Sequence, residues 1–193
     1  MTTLNIAVVV GSNRRESLNR RLAEALARLG NETLAFRFVR IDDLPLYNQD
    51  LEATLPEPVA RFKKEIEAAD GVLFVTPEHS RSIPAVLKNA IDWGARPWGQ
   101  NSWTGKPAAV TGTSPGAIGT AVAQQHLRHV LGVLGMVVAG GEAYITYKPD
   151  LIGTDGAIAD EGARAFLKDF LDRFAALVAR LARDPASSRQ QAA

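Results

Sequence analysis

Short apolar runs alternate along the chain with segments whose apolar residues recur at helical spacing. Unbroken apolar runs are typical of buried strands, and a period of about 3.6 residues is typical of amphipathic helices. Five strands are predicted, at 4–10, 33–41, 72–75, 107–111 and 136–139, each followed by a helix. Parallel strands need crossover connections, which place helices on both faces of the sheet. The pattern therefore predicts an α/β fold with a doubly wound, five-stranded parallel sheet.

Three polar loops, at 11–19, 76–83 and 112–119, follow predicted strands and are rich in Gly, Ser, Pro or charged residues. The carboxyl ends of parallel strands lie at one edge of a sheet. Doubly wound sheets bind their ligands at that edge, where the winding direction reverses. We therefore expect the three loops to share one site.

The first loop, from Gly11 to Asn19, joins a strand to a helix whose N-terminus presents unpaired N–H groups. It adds the hydroxyls of Ser12 and Ser17 and the guanidinium of Arg14. These are the groups of a phosphate site. Taken alone, the stretch is equally compatible with an ordinary turn in which Ser17 is the N-cap.

Two common nucleotide motifs are absent from the first loop. A P-loop needs a second Gly followed by Lys and Ser or Thr, and a Rossmann turn needs three spaced glycines. This loop has one Gly and no Lys, although Asp42 and Asp43 lie near the position of a ribose-binding acid. A mononucleotide fits this pattern better than a dinucleotide.

The third loop matches the Gly-x-Ser-x-Gly motif of a hydrolase nucleophile elbow around Ser114. The oxyanion hole of such enzymes uses the N–H that follows the serine, and Pro115 has none. The triad also needs an acid and then a His after the serine. The last His is His129, and no Asp or Glu lies between it and Ser114. These requirements exclude a serine hydrolase.

The composition favours one globular domain. The 193 residues are 46% hydrophobic, so we expect a single domain at 1–182 and a polar, disordered tail at 183–193. Lys and Arg number 22 against 21 for Asp and Glu, which favours neither nucleic acid nor a membrane as partner. The chain has no Cys, and we expect no leader segment, because no basic region precedes the first apolar run. We therefore expect a cytoplasmic protein without disulfides or thiolate metal sites.

Longer motifs extend through the same loops. The first reads Gly-Ser-x-Arg-x-x-Ser-x-Asn at 11–19. The second reads Thr-Pro-Glu-His-Ser-x-Ser-x-Pro at 76–84 and Leu-Lys-Asn-Ala-Ile-Asp-Trp at 87–93. The third is a Ser-Pro-Gly turn at 114–116 followed on the helix by Gln124 and by Leu-Arg at 127–128. Together they resemble the NADPH-dependent FMN reductase family, the flavodoxin-like group that includes quinone, azo-dye and chromate reductases. The resemblance covers about residues 4–142.

The resemblance implies a flavodoxin-like fold with bound FMN. It assigns the FMN phosphate to the first loop, the flavin ring to the second, and the ribityl chain and the other wall of the site to the third. The cofactor-binding residues that it implies are Gly11, Ser12, Arg14, Ser17, Leu18, Asn19, Pro77, Glu78, His79, Ser80, Ser82, Ser114, Pro115 and Gly116.

The implied activity is that of an FMN-dependent NAD(P)H oxidoreductase. Hydride would pass from NADPH or NADH to flavin N5, and electrons would then pass to a quinone, azo compound, chromate or free flavin. No catalytic side chain and no metal is expected, and members of the family are usually homodimers or homotetramers. The alternative is a non-catalytic flavodoxin-like electron carrier or flavin-binding module. Such carriers tend to be acidic, which the net charge of +1 disfavours.

The second loop departs from the family pattern, because His79 and Ser80 stand where the family has Tyr-Asn. Side-chain contacts of that pair therefore cannot be carried over, whereas backbone N–H bonds to the flavin can be. His79 is expected either to be a solvated loop residue or to titrate beside the ring.

Several other residues are candidates for contacts with partners or substrates. His126 and His129 lie one helical turn apart without a third metal ligand nearby, so helix surface or a subunit contact is expected. Arg15, Arg81 and Arg96 are candidates for the 2′-phosphate of NADPH, and the sequence does not rank them.

Two further features point to contacts between subunits. The segment around Trp93, Trp98 and Trp103 is expected to supply core and interface packing, with aromatic surface exposed between 94 and 105. Glu142 is expected either to pair with Arg128 across a subunit contact or to be solvated.

Overall fold

The computed structural model describes residues 3–30 and 32–182, so the tail expected at 183–193 lies outside the described residues. Within them the strands are β1 (Leu4–Val10), β2 (Leu34–Val39), β3 (Gly71–Val75), β4 (Pro107–Ser114), β5 (Val137–Val138) and β6 (Tyr144–Thr146). The α-helices are α1 (Leu18–Leu29), α2 (Glu57–Glu67), α3 (Ala85–Ala95), α4 (Ala121–Val133) and α5 (Glu161–Ala182). A short 3-10 helix, Gln49–Leu51, lies between β2 and α2.

The strands form a parallel sheet in the order β2, β1, β3, β4 and β5, with β6 also paired to β4. From β1 the chain first moves outward to β2 and then returns past β1 to β3 and β4. This reversal defines a doubly wound sheet, and it lies between β1 and β3. The predicted fold class is confirmed.

Two short strands, β5 and β6, share the position next to β4 at the end of the sheet. The sequence did not indicate this division. β5 pairs with the start of β4, with Val137 opposite Pro107, and β6 pairs with its end, with Tyr144 opposite Gly112. Between the two strands Gly141 has a φ of 87°. A left-handed residue turns the chain out of the strand path, and Gly adopts this conformation without steric cost. A three-residue strand such as β6 is too short to show a period in the sequence.

Each face of the sheet carries its own hydrophobic layer. On one face α1 and α5 pack with buried Leu22, Leu26 and Phe174. On the other face α2, α3 and α4 pack with buried residues such as Phe62 and Leu87. Among the described helices, none is both long and apolar enough to cross a membrane.

Two details near the predicted loops differ from expectation. β4 extends to Ser114, so the first three residues of the predicted third loop belong to the strand.

Trp93 and Trp103 are fully buried, whereas Trp98 is 87% exposed. The aromatic surface expected between 94 and 105 is therefore limited to Trp98, and the expectation is wrong for Trp103. Its indole Nε1 donates to the carbonyl of Ile91 (2.9 Å), which satisfies its polar atom inside the core.

Candidate functional site

The carboxyl ends of β1, β3 and β4 meet at one edge of the sheet. The N–H of Gly11 donates to the carbonyl of Val75 (2.9 Å), and the N–H of Thr76 donates to that of Thr111 (3.0 Å). A Cβ at Gly112 would lie 2.0 Å from the carbonyl oxygen of Thr76, far inside van der Waals contact. The three loops that continue from these strands therefore lie side by side, as predicted.

In the first loop, the N-terminus of α1 has free backbone donors. Ser17 is the N-cap, and its Oγ accepts a hydrogen bond from the N–H of Arg20 (3.2 Å). The N–H groups of 15–19 donate to no other described residue. The first turn of α1 contains no acidic side chain. The positive end of the helix dipole is thus uncompensated, which favours binding of an anion.

Arg14 lies folded over the same loop. Its Nε donates to the carbonyl oxygen of Glu16 (3.1 Å), and its Nη2 donates to the same oxygen. Ser12 Oγ accepts a long hydrogen bond from the N–H of Arg14 (3.4 Å). The guanidinium therefore stabilises the loop, while Nη1 has no acceptor among the described residues. In this geometry Arg14 can support the loop and contact an anion at the same time.

Asn19 has a different role from the phosphate ligand that the family pattern implies. Its side chain is buried, with Nδ2 donating to the carbonyl of Thr113 (2.9 Å) and Oδ1 accepting from the N–H of Thr113 (2.9 Å). The amide pairs with the end of β4 as a neighbouring strand would. Asn19 therefore joins the first loop to the third, and a direct phosphate contact by its side chain does not fit this arrangement.

The second loop forms a tight hairpin turn after β3. His79 and Ser82 exchange two backbone hydrogen bonds, of 3.0 and 2.9 Å. Between them Ser80 and Arg81 have φ values of 48° and 62°. Two successive left-handed residues are typical of a type I′ turn, which Asn and Gly adopt more readily than Ser. The replacement of the family's Asn by Ser80 therefore falls at a conformationally demanding position.

Glu78 attaches this turn to α4. Its Oε1 accepts from Nη1 of Arg81 (2.9 Å), and its Oε2 accepts from the N–H of Ala123 (3.0 Å) in the first turn of α4. The N-terminus of α4 is thus already capped by a carboxylate, unlike that of α1. A contact between Glu78 and a flavin would have to involve its backbone, because both carboxylate oxygens have partners.

A second link between the turn and α4 runs through His126. Ser82 Oγ and His126 Nδ1 lie 2.8 Å apart. The sequence placed His126 on the helix surface or in a subunit contact and contained no signal for this bond, because 44 residues separate the partners. Within the part of the chain that the structure describes, no three His, Cys, Asp or Glu side chains are grouped to hold a metal ion.

The third loop begins where β4 ends. Ser114 Oγ donates a long hydrogen bond to the carbonyl of Gly116 (3.4 Å), and the carbonyl of Ser114 accepts from the N–H of Tyr147 (2.8 Å). Pro115 and Gly116 are exposed. Among residues 3–30 and 32–182, no histidine makes a hydrogen bond to the Ser114 side chain.

Arg128 and Glu142 do not meet within the chain. Arg128 donates through Nη1 to the carbonyl of Ala139 (2.7 Å) and through Nη2 to that of Gly141 (2.6 Å), which stabilises the bend between β5 and β6. Burial lowers the pKa of Arg128. Glu142 instead accepts from Nε2 of Gln125 (2.8 Å). A pairing of Arg128 with Glu142 across subunits stays a prediction.

Comparison with known proteins identifies the family. Residues 4–150 match the family model described as NADPH-dependent FMN reductase. The chain belongs to this family. A 2-hydroxy-1,4-benzoquinone reductase from Burkholderia sp is 52% identical over 176 residues, which cover 91% of this chain and 96% of that protein. A quinone reductase from Pseudomonas putida is 51% identical, with 90% and 94% covered.

A solved structure supports the same conclusion. FerB, a flavoenzyme NAD(P)H:(acceptor) oxidoreductase from Paracoccus denitrificans, has a TM-score of 0.90 and 47% identity, covering 92% of this chain and 98% of that one. These findings confirm the flavodoxin-like fold, the FMN-dependent NAD(P)H oxidoreductase activity, and FMN with NAD(P)H as cofactor and co-substrate. The roles of individual loop residues stay predictions.

The position of Asn19 leads to a test of its role. We expect Asn19→Ala to lower the free energy of unfolding of the ligand-free protein by about 2 kcal/mol, because it leaves buried backbone groups of Thr113 without partners. Urea denaturation measures this change. The exposed Asn13 provides a matched control, and Asn13→Ala should change stability by less than about 0.5 kcal/mol. Wild-type stability with weakened FMN binding in Asn19→Ala would return Asn19 to the set of phosphate ligands.

Proposed function

We propose that this protein is a quinone reductase that binds FMN across the three loops and takes electrons from NADPH or NADH. The start of α1 carries the proposal, because the free N–H groups at 15–19 can bind an anion at the edge of the sheet that also carries the loop after β3. Quinones are supported as acceptors by the benzoquinone reductase and the quinone reductase described above, which are 52% and 51% identical to this chain.

The first loop would hold the phosphate of FMN. Backbone N–H groups supply most of the donors, and the hydroxyls of Ser12 and Ser17 can add two more. Ser17 Oγ already accepts from Arg20, so its own proton is free to bond to a phosphate oxygen. Nη1 of Arg14 would add a charge-assisted bond. Asn19 would act through Thr113, by keeping the loop in place.

The second and third loops would bound the flavin ring. The N–H groups of Ser80 and Arg81 donate to no other described residue, so they are available to a ligand beside Pro77. Ser114, Pro115 and Gly116 would form the opposite wall. Bound FMN supplies the hydride and electron transfer that no side chain of this chain can perform. The protein residues therefore bind and orient, and none is assigned as a catalytic acid or base.

Other acceptors belong to the proposal as further candidates. Azo compounds, chromate and free flavin stay predictions, as does a cytoplasmic location. The net charge of +1 gives no support for nucleic acid as a partner.

Turnover distinguishes the enzyme from an electron carrier. We expect the FMN-loaded protein to oxidise an excess of NADPH continuously when menadione is present, because one open site can serve both substrates in turn. The loss of absorbance at 340 nm measures the reaction, and the same mixture without menadione is the control. A flavin-loaded sample that NADPH does not reduce would contradict the proposal.

Arg14 tests where the phosphate binds. We expect Arg14→Ala to weaken FMN binding by about ten-fold to a hundred-fold, because a charge-assisted hydrogen bond to the phosphate is lost. Riboflavin has no phosphate, so its weaker affinity should change little. Fluorescence titration of both flavins measures the effect, with Ser114→Ala as a control that keeps the preference for FMN. Equal losses for the two flavins would show that Arg14 only supports the loop.

We also propose a homodimer or homotetramer. Apolar side chains are exposed at several places, including Trp98 at 87% in the loop before β4 and Val133 at 75% at the end of α4. Large apolar groups left in water favour burial between subunits. Light scattering at micromolar concentration should therefore return a multiple of 20.8 kDa. A mass equal to one chain would refute the assembly.

A further inference from the structure

A second cleft lies next to the first loop, between the start of α1 and the end of β2. It encloses about 570 Å³ and includes Ser12, Arg14 and Arg15 together with residues 38–42. Val10 and Ile41 contribute apolar atoms to its lining, and arginines surround them. The cleft therefore combines an apolar floor with a cationic rim, which suits a flat ring that carries a phosphate. A larger cleft of about 670 Å³ lies between β2 and α2 and includes none of the three loops.

Two of the four arginines that line this cleft are paired with carboxylates. Arg20 bonds to Glu24 (2.7 Å), and its guanidinium lies 4.2 Å from the centre of the Phe38 ring. Arg40 bonds to Asp42 (2.8 Å), and this hydrogen bond lowers the pKa of Asp42. These cations are compensated by neighbouring groups of the protein.

Arg15 is different. It is exposed, and its side chain makes no hydrogen bond or ion pair with another described residue. Its position directly after Arg14 places it on the loop that the cleft shares with the proposed phosphate site. Arg14 is assigned above to the phosphate of FMN, so among the other arginines that line this cleft Arg15 is the cation available to a second anion.

The other two arginines considered for NADPH are engaged elsewhere. Arg81 bonds to Glu78 (2.9 Å), and Arg96 bonds to Glu52 (2.7 Å). A hydrogen bond from Tyr47, together with Arg96, lowers the pKa of Glu52 and keeps this carboxylate charged. The charge of Arg81 and that of Arg96 are each compensated by a carboxylate, whereas the charge of Arg15 is not.

We propose that Arg15 binds the 2′-phosphate of NADPH while the adenosine of the nucleotide occupies this cleft. The inference rests on the proposed function, since it names the co-substrate of the same site. The nucleotide would cross the first loop, with its nicotinamide toward the turn at 79–82. NADH lacks the 2′-phosphate, so Arg15 would set the preference between the two nucleotides.

Substitution of Arg15 tests the inference. We expect Arg15→Ala to lower kcat/KM for NADPH by about ten-fold to a hundred-fold, because the charge-assisted bonds to the phosphate are lost, and to leave the value for NADH within about two-fold. Arg15→Lys should retain part of the preference, because a point charge remains. Arg37 is a matched control, since it is also an exposed arginine but lines the larger cleft instead of this one. Arg37→Ala should leave both values unchanged.

A binding measurement separates this inference from the proposed function. Calorimetry on the FMN-loaded protein would compare 2′,5′-ADP with 5′-AMP, which differ by the 2′-phosphate. We expect the wild type to prefer 2′,5′-ADP, and Arg15→Ala to lose that preference while Arg37→Ala keeps it. This result would stand even if no quinone were reduced. Equal affinity of the wild type for the two nucleotides, or an unchanged preference in Arg15→Ala, would overturn the role of Arg15.

Discussion

The site depends on the close approach of three backbones at one edge of the sheet. Gly112 makes this approach possible, because a Cβ there would lie 2.0 Å from the carbonyl oxygen of Thr76 and 2.5 Å from Oγ1 of Thr120. Asn19 then connects α1 to β4 by pairing with both backbone groups of Thr113. Since these contacts involve main-chain atoms, the loop positions are set by the sheet itself. Surface side chains can change without moving the backbone donors.

Several helices begin at this edge, and the positive ends of α1 and α4 have different partners. The end of α4 receives the carboxylate of Glu78 through the N–H of Ala123. The end of α1 receives only the Ser17 hydroxyl, which satisfies one of its N–H groups. An anion would therefore gain more at α1 than at α4, because the dipole of α4 is already compensated. This difference supports the start of α1, rather than that of α4, as the proposed phosphate site.

The features of the fold that depend on local sequence pattern could be predicted from the sequence. Helix and strand order, the doubly wound sheet and the meeting of three loops follow from periodicity and from the positions of polar runs. The sequence did not predict β6, which has three residues and is held by pairing with β4. It also assigned Asn19 to the phosphate, because a loop amide near a helix start has the same local pattern whether it binds a ligand or a distant strand. The bond between Ser82 and His126 spans 44 residues and leaves no local signal.

The change from Tyr-Asn to His79 and Ser80 shows why the turn proposed to bound the flavin ring depends on α4. The left-handed backbone conformation costs more free energy for Ser than for Asn, so the sequence of the turn at 79–82 does not itself favour the conformation of the turn. Its shape is maintained by contacts outside the turn, from Glu78 to Ala123 and from Ser82 to His126. These links compensate for the lost preference and keep the backbone donors in place. A flavin bound mainly by backbone N–H groups would therefore tolerate the substitution, whereas a site built on the side chains of that pair would not.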